Sequence, residues 1–257
     1  MISGLLKIPI LKRLIPSLSI KILKLFKKNR GYFKINNLKM FLDFLDPIDR
    51  ELILHQEYEK SEINYLTKQI DYYKPFYFLD VGANCGYYSI KIANDYPNIK
   101  IFAFEPNKEA YFKFNKTLKV NYKLAKKIAL FNFGLSNLNT KLKVKSLIKH
   151  GYAQTGGSSI DRTYTEGSYK ETKEIFKIAD EFLNIDNSVI IIKIDVEYHE
   201  LKVLEGLKKM ININKCIIQI EICKKNYSKV NNFLIFNKYR LIKAINERSN
   251  YFYKNFD

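Results

Sequence analysis

The stretch Phe78–Ser89, FLDVGANCGYYS, combines an apolar run, an acid at Asp80, and two glycines, Gly82 and Gly86, with Asn84 between them. The run Phe76–Val81 has no polar alternation, which marks a strand covered on both faces. A glycine loop that leaves such a strand and opens a helix is a place to grip a nucleotide or a nucleotide-like cofactor. What fills each position decides which one. A dinucleotide fingerprint requires G-x-G-x-x-G. Here the order is Gly82, Asn84, Gly86, Tyr87 and Tyr88, so tyrosine stands where the backbone would have to approach a pyrophosphate. A Walker loop is excluded because no G-K-[ST] follows.

The pattern is D-x-G-x-N-x-G. A carboxylate at the strand end repels a phosphate and welcomes a cation. S-adenosylmethionine fits, with a sulfonium, an ammonium, a carboxylate and no phosphate. Amides near Gly86 at the helix start can take its carboxylate, and Asp80 its ammonium, directly or through water. Ala83 belongs to the same cradle. The second strand, Ile99–Glu105, ends in Glu105 followed by Pro106, 25 residues after Asp80. Two carboxylate oxygens match two vicinal ribose hydroxyls. A NAD protein also carries an acid there, so the loop discriminates and Glu105 does not. The third strand ends in Asn132 and Phe133, which are expected at the adenine edge and face.

From residue 76 onward, strands and helices alternate. Strands are expected at 76–81, 99–105, 128–134, 188–196 and 215–222, with helices at 86–96, 107–121 and 197–210. A closing hairpin is expected from 239–245 and 251–256. An inserted pair of strands, 141–148 and 170–178, flanks a long loop, and "DEFL" reads as a short helix. Loops of that length are functional or disordered. The alternation implies an α/β doubly wound, Rossmann-like sheet, mostly parallel with a C-terminal antiparallel strand, and ligands at the carboxyl ends of its strands. Residues 1–75 form a separate N-terminal region and 76–257 the main domain. In the former, "YFKINNLKMFLDF" suits a hairpin turning at Asn36-Asn37. A helix with a break follows, and Asp46-Pro47 fits its start.

The chain has 257 residues, 47% hydrophobic, which is enough for a substantial core. Its 44 basic and 26 acidic residues give a net charge of +18. Because the charge is not concentrated over the motifs, it reads mainly as a composition habit rather than a nucleic-acid or lipid surface. Three cysteines without a C-x-x-C pair argue against a disulfide framework or a zinc site and suit a reducing cytosol. No run reaches the ~18–20 apolar residues that span a membrane, and a cleavable signal peptide is poorly supported. Residues 17–30 form a basic amphipathic pattern, with Leu18, Ile22, Leu25 and Phe26 opposite Lys21, Lys24 and Lys28. Docking on its own domain or a second subunit is the favoured reading, and peripheral contact with an anionic inner membrane face the other. Cytoplasmic placement is expected. The sequence sets no oligomeric state.

The blocks "DVGANCGYYS", "FEPN", "NFGLSN", "GGSSI" and "IKIDVEYHELKVLEGLKKM" together resemble the FkbM family of S-adenosylmethionine-dependent methyltransferases, over about Phe76–Ile222. The order and spacing of five blocks carry the resemblance. It implies a class I methyltransferase fold and O-methylation, often of sugar or natural-product hydroxyls. It places cofactor binding on Asp80, Gly82, Asn84, Gly86 and Glu105. One departure is Tyr198, where the family has glycine after D-V-E. A ring there would narrow or re-aim the acceptor mouth.

An alcohol acceptor needs a base within hydrogen-bond reach. Lys193 and Asp195 share one face of the fourth strand. Asp195 is expected to border the reacting hydroxyl, and Glu197 to be an orienting or helix-start acid. His199 has a suitable ordinary pKa but lies a turn away, and the solvent-facing reading is favoured for it. Glu221 ends the fifth strand close by. Asp195 and Glu221 also permit a divalent metal, which is not the favoured reading. Gly156, Gly157 and Ser158 in the 150–168 loop suit a polar, sugar-like acceptor and a lid. The expected function is O-methylation of a sugar, glycan or other small-molecule hydroxyl. The alternative is RNA methylation through the basic surface; no N/D-P-P-Y/F/W motif follows the fourth strand, and only Lys193 and Asp195 hint at a ribose 2′-O set.

Overall fold

The computed structural model describes residues 29–149, 152–160, 167–245 and 249–257. The amphipathic pattern of residues 17–30 lies outside them up to residue 28. The described chain opens with the expected hairpin, β1 (Arg30–Ile35) and β2 (Leu38–Asp43), whose turn residue Asn36 has φ 52°. Two helices follow, α1 (Pro47–His55) and α2 (Lys60–Tyr73). Pro47 suits the first turn of α1, and the Asp46 side chain accepts from the Ile48 N–H as its N-cap.

A seven-stranded sheet forms the centre. In chain order its strands are β3 (Tyr77–Val81), β4 (Lys100–Phe104), β5 (Ile128–Phe131), β10 (Val189–Ile194), β11 (Lys215–Glu221), β12 (Arg240–Ile245) and β13 (Asn250–Lys254). The spatial order is β12-β13-β11-β10-β3-β4-β5. The pairs β11-β10, β10-β3, β3-β4 and β4-β5 are parallel, and β13 runs antiparallel to both its neighbours. This is the mostly parallel α/β sheet expected of a class I methyltransferase, and β13 is its antiparallel strand. The covering helices are α3 (Tyr87–Asp95), α4 (Lys108–Val120), α5 (Tyr122–Ala125), α6 (Glu200–Gly206), α7 (Lys208–Ile213) and α8 (Tyr227–Phe236). The single helix expected at 197–210 is two, divided at Leu207. Helix α8 was not anticipated.

A second sheet, β6 (Gly134–Leu135), β9 (Tyr169–Lys177), β7 (Thr140–Lys149) and β8 (Tyr152–Ala153), is laid down between β5 and β10. Its long antiparallel pair, Thr140↔Phe176 through Leu147↔Tyr169, is the inserted pair of strands. "DEFL" contributes a short 3-10 turn at Ala179–Glu181. The hydrophobic core divides across the central sheet. Phe78, Ile191, Ile217 and Phe252 face one cluster, which also takes in Ile35, Leu42, Leu52 and Leu66 from the hairpin, α1 and α2. Leu79, Val81, Ile192 and Ile218 face the other, with α6, α7 and α8. Alternate residues of one strand serve opposite faces, which is why these strands read as unbroken apolar runs. Among the described residues, no helix is long and apolar enough to cross a membrane.

Candidate active site

A cavity opens at the carboxyl ends of β3, β4 and β10. Its walls include Gly82, Ala83, Asn84, Glu105, Pro106, Gly156, Gly157, Ser158, Asp195, Glu197, His199 and Glu221. Most of the residues singled out in the sequence therefore meet in one place. Others do not reach it. Gly86 is the N-cap of α3, with φ 84°, and a Cβ there would lie 2.2 Å from the Phe114 ring. Asp80 is fully buried beneath the wall, in register with Lys193 on the neighbouring strand. Its Oδ2 accepts from the Ser89 hydroxyl at 2.6 Å, while Oδ1 has no hydrogen-bond partner.

Asn132 and Phe133 stand apart from the cavity. The Asn132 amide donates to the carbonyls of Glu105 and Pro106, bracing the end of β4. Phe133 packs with Phe104, Phe131 and Phe182. Gly134 and Leu135 form that wall instead. The chain turns here from β5 into β6, so the side chains expected at the adenine are used up in packing.

The glycine loop is held by its own backbone. Gly82 N–H and Ala83 N–H both donate to the Phe104 carbonyl, at 3.0 and 3.1 Å. Asn84 N–H donates to Glu105 Oε2 at 2.8 Å, and Asn107 N–H to Oε1 at 2.7 Å. Each Glu105 oxygen keeps a further lone pair, so the carboxylate is oriented but not saturated. Burial, partly offset by these two N–H donors, pushes the Glu105 carboxyl up to about 7.

The sequence profile of the methyltransferase FkbM domain matches residues 80–245. The chain belongs to the FkbM methyltransferase family. No curated protein matches it. Among solved structures it is similar to a precorrin-6y C5,15-methyltransferase from Geobacter metallireducens (14% identity, 77% of this chain and 87% of that chain, TM-score 0.43). It is also similar to an rRNA methylase from Streptococcus thermophilus (12%, 77% and 97%, TM-score 0.45). A third is the N-terminal domain of human METTL16 in complex with SAH (12%, 76% and 70%, TM-score 0.42).

As an FkbM methyltransferase the protein uses S-adenosylmethionine, and three observations fit that cofactor. Gly82 leaves no room for a side chain and brings backbone to the cavity. Glu105 presents two oriented oxygens for the ribose diol. Asp80 Oδ1 is an unused buried acceptor behind the loop, suited to a cationic group. Ribose hydroxyls donate best to an ionised carboxylate, and Glu105 changes charge near pH 7. Because the folded value is raised, its ionisation opposes folding as pH rises through about 7 but favours the cofactor. Cofactor affinity measured by calorimetry should therefore rise about tenfold from pH 6 to pH 8. Glu105→Ala should weaken binding and flatten the profile. A flat profile in the unaltered protein would refute the role of Glu105.

The opposite end of the cavity is acidic. Lys193 Nζ lies 3.1 Å from Asp195 Oδ2. Burial works against the lysine's charge, but Asp195, Asp80 and Glu59 outweigh it and raise its pKa. Glu221 is pushed up to about 9 by burial first and then by Asp195, Glu59 and Glu197. Carboxylate oxygens of Glu59, Asp195 and Glu221 lie within 4.8 Å of one another. Glu59 was invisible in the sequence because it arrives from the turn before α2.

His199 does not face solvent. It is 6% exposed, its Nε2 is 3.0 Å from Ser136 Oγ, and its ring meets Phe176 edge-on at 5.8 Å. The turn before it brings it inward, since Glu197 and Tyr198 are both left-handed, with φ 46° and 78°. Glycine takes such a φ without strain and tyrosine does not, which accounts for the family's glycine at this position. Tyr198 itself borders a side recess with Glu197, Glu200, Glu221 and Cys223 rather than the main cavity. Its N–H donates to Glu200 Oε1 and its carbonyl accepts from Asn226. Cys85 is 2% exposed and packs in the core beneath the loop.

Asp46, Asp49 and Lys113 also carry no functional signal in the sequence, whereas Thr155 falls in the 150–168 loop expected to contact the acceptor. Lys113 Nζ lies 2.7 Å from Asp49 Oδ2 and 3.5 Å from Asp46 Oδ2, all three nearly or wholly buried. Thr155 N–H and hydroxyl both donate to Asp46 Oδ2. A trace was readable for Lys113 alone, which shares a helix face with the apolar Ala110 and Phe114.

Proposed function

We propose that the protein methylates a hydroxyl of a sugar, glycan or other small polar metabolite. The observation that carries this is Asp195, a carboxylate at the end of β10 that lines the cavity and is oriented by Lys193. When bound, S-adenosylmethionine supplies an electrophilic methyl on a sulfonium, which is already a good leaving group. What remains for the chain is alignment of the acceptor and removal of its proton. Asp195 takes the hydroxyl proton, while Lys193 keeps that carboxylate in place. Glu197 stands beside it, held by the Ser159 hydroxyl donating to its backbone carbonyl at 2.6 Å. Glu221, whose pKa burial and the neighbouring carboxylates raise, lines the cavity close by and can hydrogen-bond a neighbouring group of the acceptor. Gly156, Gly157 and Ser158 close the cavity from the other side with backbone and hydroxyl groups, a surface suited to a polyol. His199, tied to Ser136, shapes the wall between them.

Radiolabelled cofactor offered to glycan extracts and to RNA tests the acceptor class. Label in polysaccharide or small hydroxyl compounds is expected; label in nuclease-sensitive material would overturn the proposal in favour of RNA. Asp195→Asn should lower turnover by about 100-fold while calorimetric affinity for the cofactor stays within about twofold. Unchanged turnover would remove Asp195 from the proton transfer.

A further inference from the structure

The knot around Thr155 connects the two ends of the cavity. The Thr155 hydroxyl lies 2.6 Å from Asp46 Oδ2 and 3.0 Å from Asn84 Oδ1, and it accepts from Lys113 Nζ at 3.1 Å. Asp46 is at once the N-cap of α1 and the acceptor of the Thr155 N–H, at 3.0 Å. Asn84 belongs to the glycine loop and donates its own N–H to Glu105. A short path thus runs from Glu105 through Asn84 to Thr155. The next residues, Gly156, Gly157 and Ser158, line the cavity and are the ones assigned above to the acceptor.

A hydroxyl has one proton, and here two acceptors compete for it. Asp46 is charged, closer and fully buried, so it holds the proton more tightly. Thr155 Oγ1 keeps a lone pair for the Asn84 side-chain amide, which meets it with its NH2 once the carboxamide is turned over, so a cofactor that holds Asn84 in this orientation holds the contact as well. Ser158 and Ser159 also pin the segment, to Ser146 at 2.7 Å and to the Glu197 carbonyl at 2.6 Å. Among these three anchors, Thr155 reaches the glycine loop.

We propose that Thr155 is a positioning residue that couples the cofactor loop to the acceptor loop: its hydroxyl, shared between Asp46 and Asn84, seats residues 152–160 in response to how Asn84 is held. The coupling rests on the cofactor reading above. Linkage makes it reciprocal: a cofactor that fixes Asn84 steadies the acceptor loop, and a seated loop raises cofactor affinity by the same factor.

The test combines amide hydrogen exchange at 152–160, with and without S-adenosylmethionine, and calorimetric cofactor affinity. In the unaltered protein the cofactor should slow exchange in this segment by about fivefold or more. Thr155→Val removes the hydroxyl at nearly constant volume. It should abolish that slowing and weaken cofactor binding by a similar factor, and Thr155→Ser should restore both. Asn84→Gly, which keeps the left-handed backbone and leaves the Asp46–Lys113 pair untouched, should also lose the slowing; it stands as the test if the valine variant does not fold. Cofactor binding without any slowing at 152–160, slowing that survives in Thr155→Val or Asn84→Gly, or failure of Thr155→Ser to restore it would overturn the coupling alone. No cofactor binding in the unaltered protein would overturn the cofactor reading and the coupling with it.

Discussion

Gly82→Ala should weaken cofactor binding by about 100-fold or more. A Cβ at this position would lie 1.9 Å from the Asp195 carbonyl oxygen and 2.9 Å from its carbon. Both partners are backbone, so no rotamer change relieves the contact. Gly82 also has φ 85°, a conformation that alanine adopts only with strain. Relief requires β3 and β10 to part by about 1 Å at their carboxyl ends, since nonbonded carbon and oxygen do not approach so closely. These strands are locked from Tyr77↔Ile190 to Val81↔Ile194, and Asp195 N–H closes the seam on the Val81 carbonyl at 3.0 Å. Parting them displaces the glycine loop and Asp195 together.

The expected cost is about 3 kcal/mol of stability, from overpacking and backbone strain combined. Calorimetric cofactor affinity should fall by about 100-fold or more, equivalent to about 2.7 kcal/mol. Gly31→Ala is the matched control, because nothing lies within 4 Å of a Cβ there. Affinity in Gly82→Ala close to that of Gly31→Ala would show that the β3–β10 seam yields freely and that the close approach does not matter.

Lys113→Met is the second large effect, and it acts on stability. The lysine is the cation facing two wholly buried carboxylates, Asp46 and Asp49. Removing it leaves them desolvated and mutually repelling, which costs about 3–5 kcal/mol. The pH dependence has a definite sign. Burial raises Asp49 to about 6 even with the lysine present, so its ionisation opposes folding as pH rises through that value. For Asp46, burial pushes up, but Lys113 and the Thr155 and Ile48 donors outweigh it and lower the pKa. Its stabilisation is present at neutral pH and lost in acid while the lysine remains. Without the lysine, both acids oppose folding when ionised.

Urea unfolding of Lys113→Met should therefore show a larger deficit at pH 8 than at pH 5. Adding Asp49→Asn should recover most of the loss, because an amide oxygen can still accept from the Asp43 N–H that now bonds Asp49 Oδ2. A deficit below about 1 kcal/mol, or one equal at both pH values, would show that water reaches the pair.

What could be read from the chain follows from what is local. The apolar runs of β3, β10 and β11 carry their own signature of burial on two faces. The hairpin turn at Asn36, the Asp46 cap and the Gly82–Gly86 loop follow from the backbone preferences of a few adjacent residues. Helix α8 was missed because Tyr227–Phe236 exposes Ile235 and Phe236 and buries only Val230 and Leu234, a weak stripe. Asn132 and Phe133 were placed at the adenine from their position after a strand. The turn into β6 takes both away, and that turn depends on pairing with β9, more than 30 residues downstream.

By itself the sequence determined the α/β alternation, the glycine loop without a phosphate grip, the acid at Glu105, and Asp195 at a strand end. Each depends on residue type and spacing along one element. Only the tertiary structure decided the partners of the site: that Glu59 joins Asp195 and Glu221, that His199 turns inward to Ser136, and that Asp46, Lys113 and Asn84 meet at Thr155. Those outcomes depend on burial and on distances between groups far apart in the chain, Glu59 and Glu221 among them. Desolvation and Coulomb interaction are set by position in space, which residue order alone does not encode.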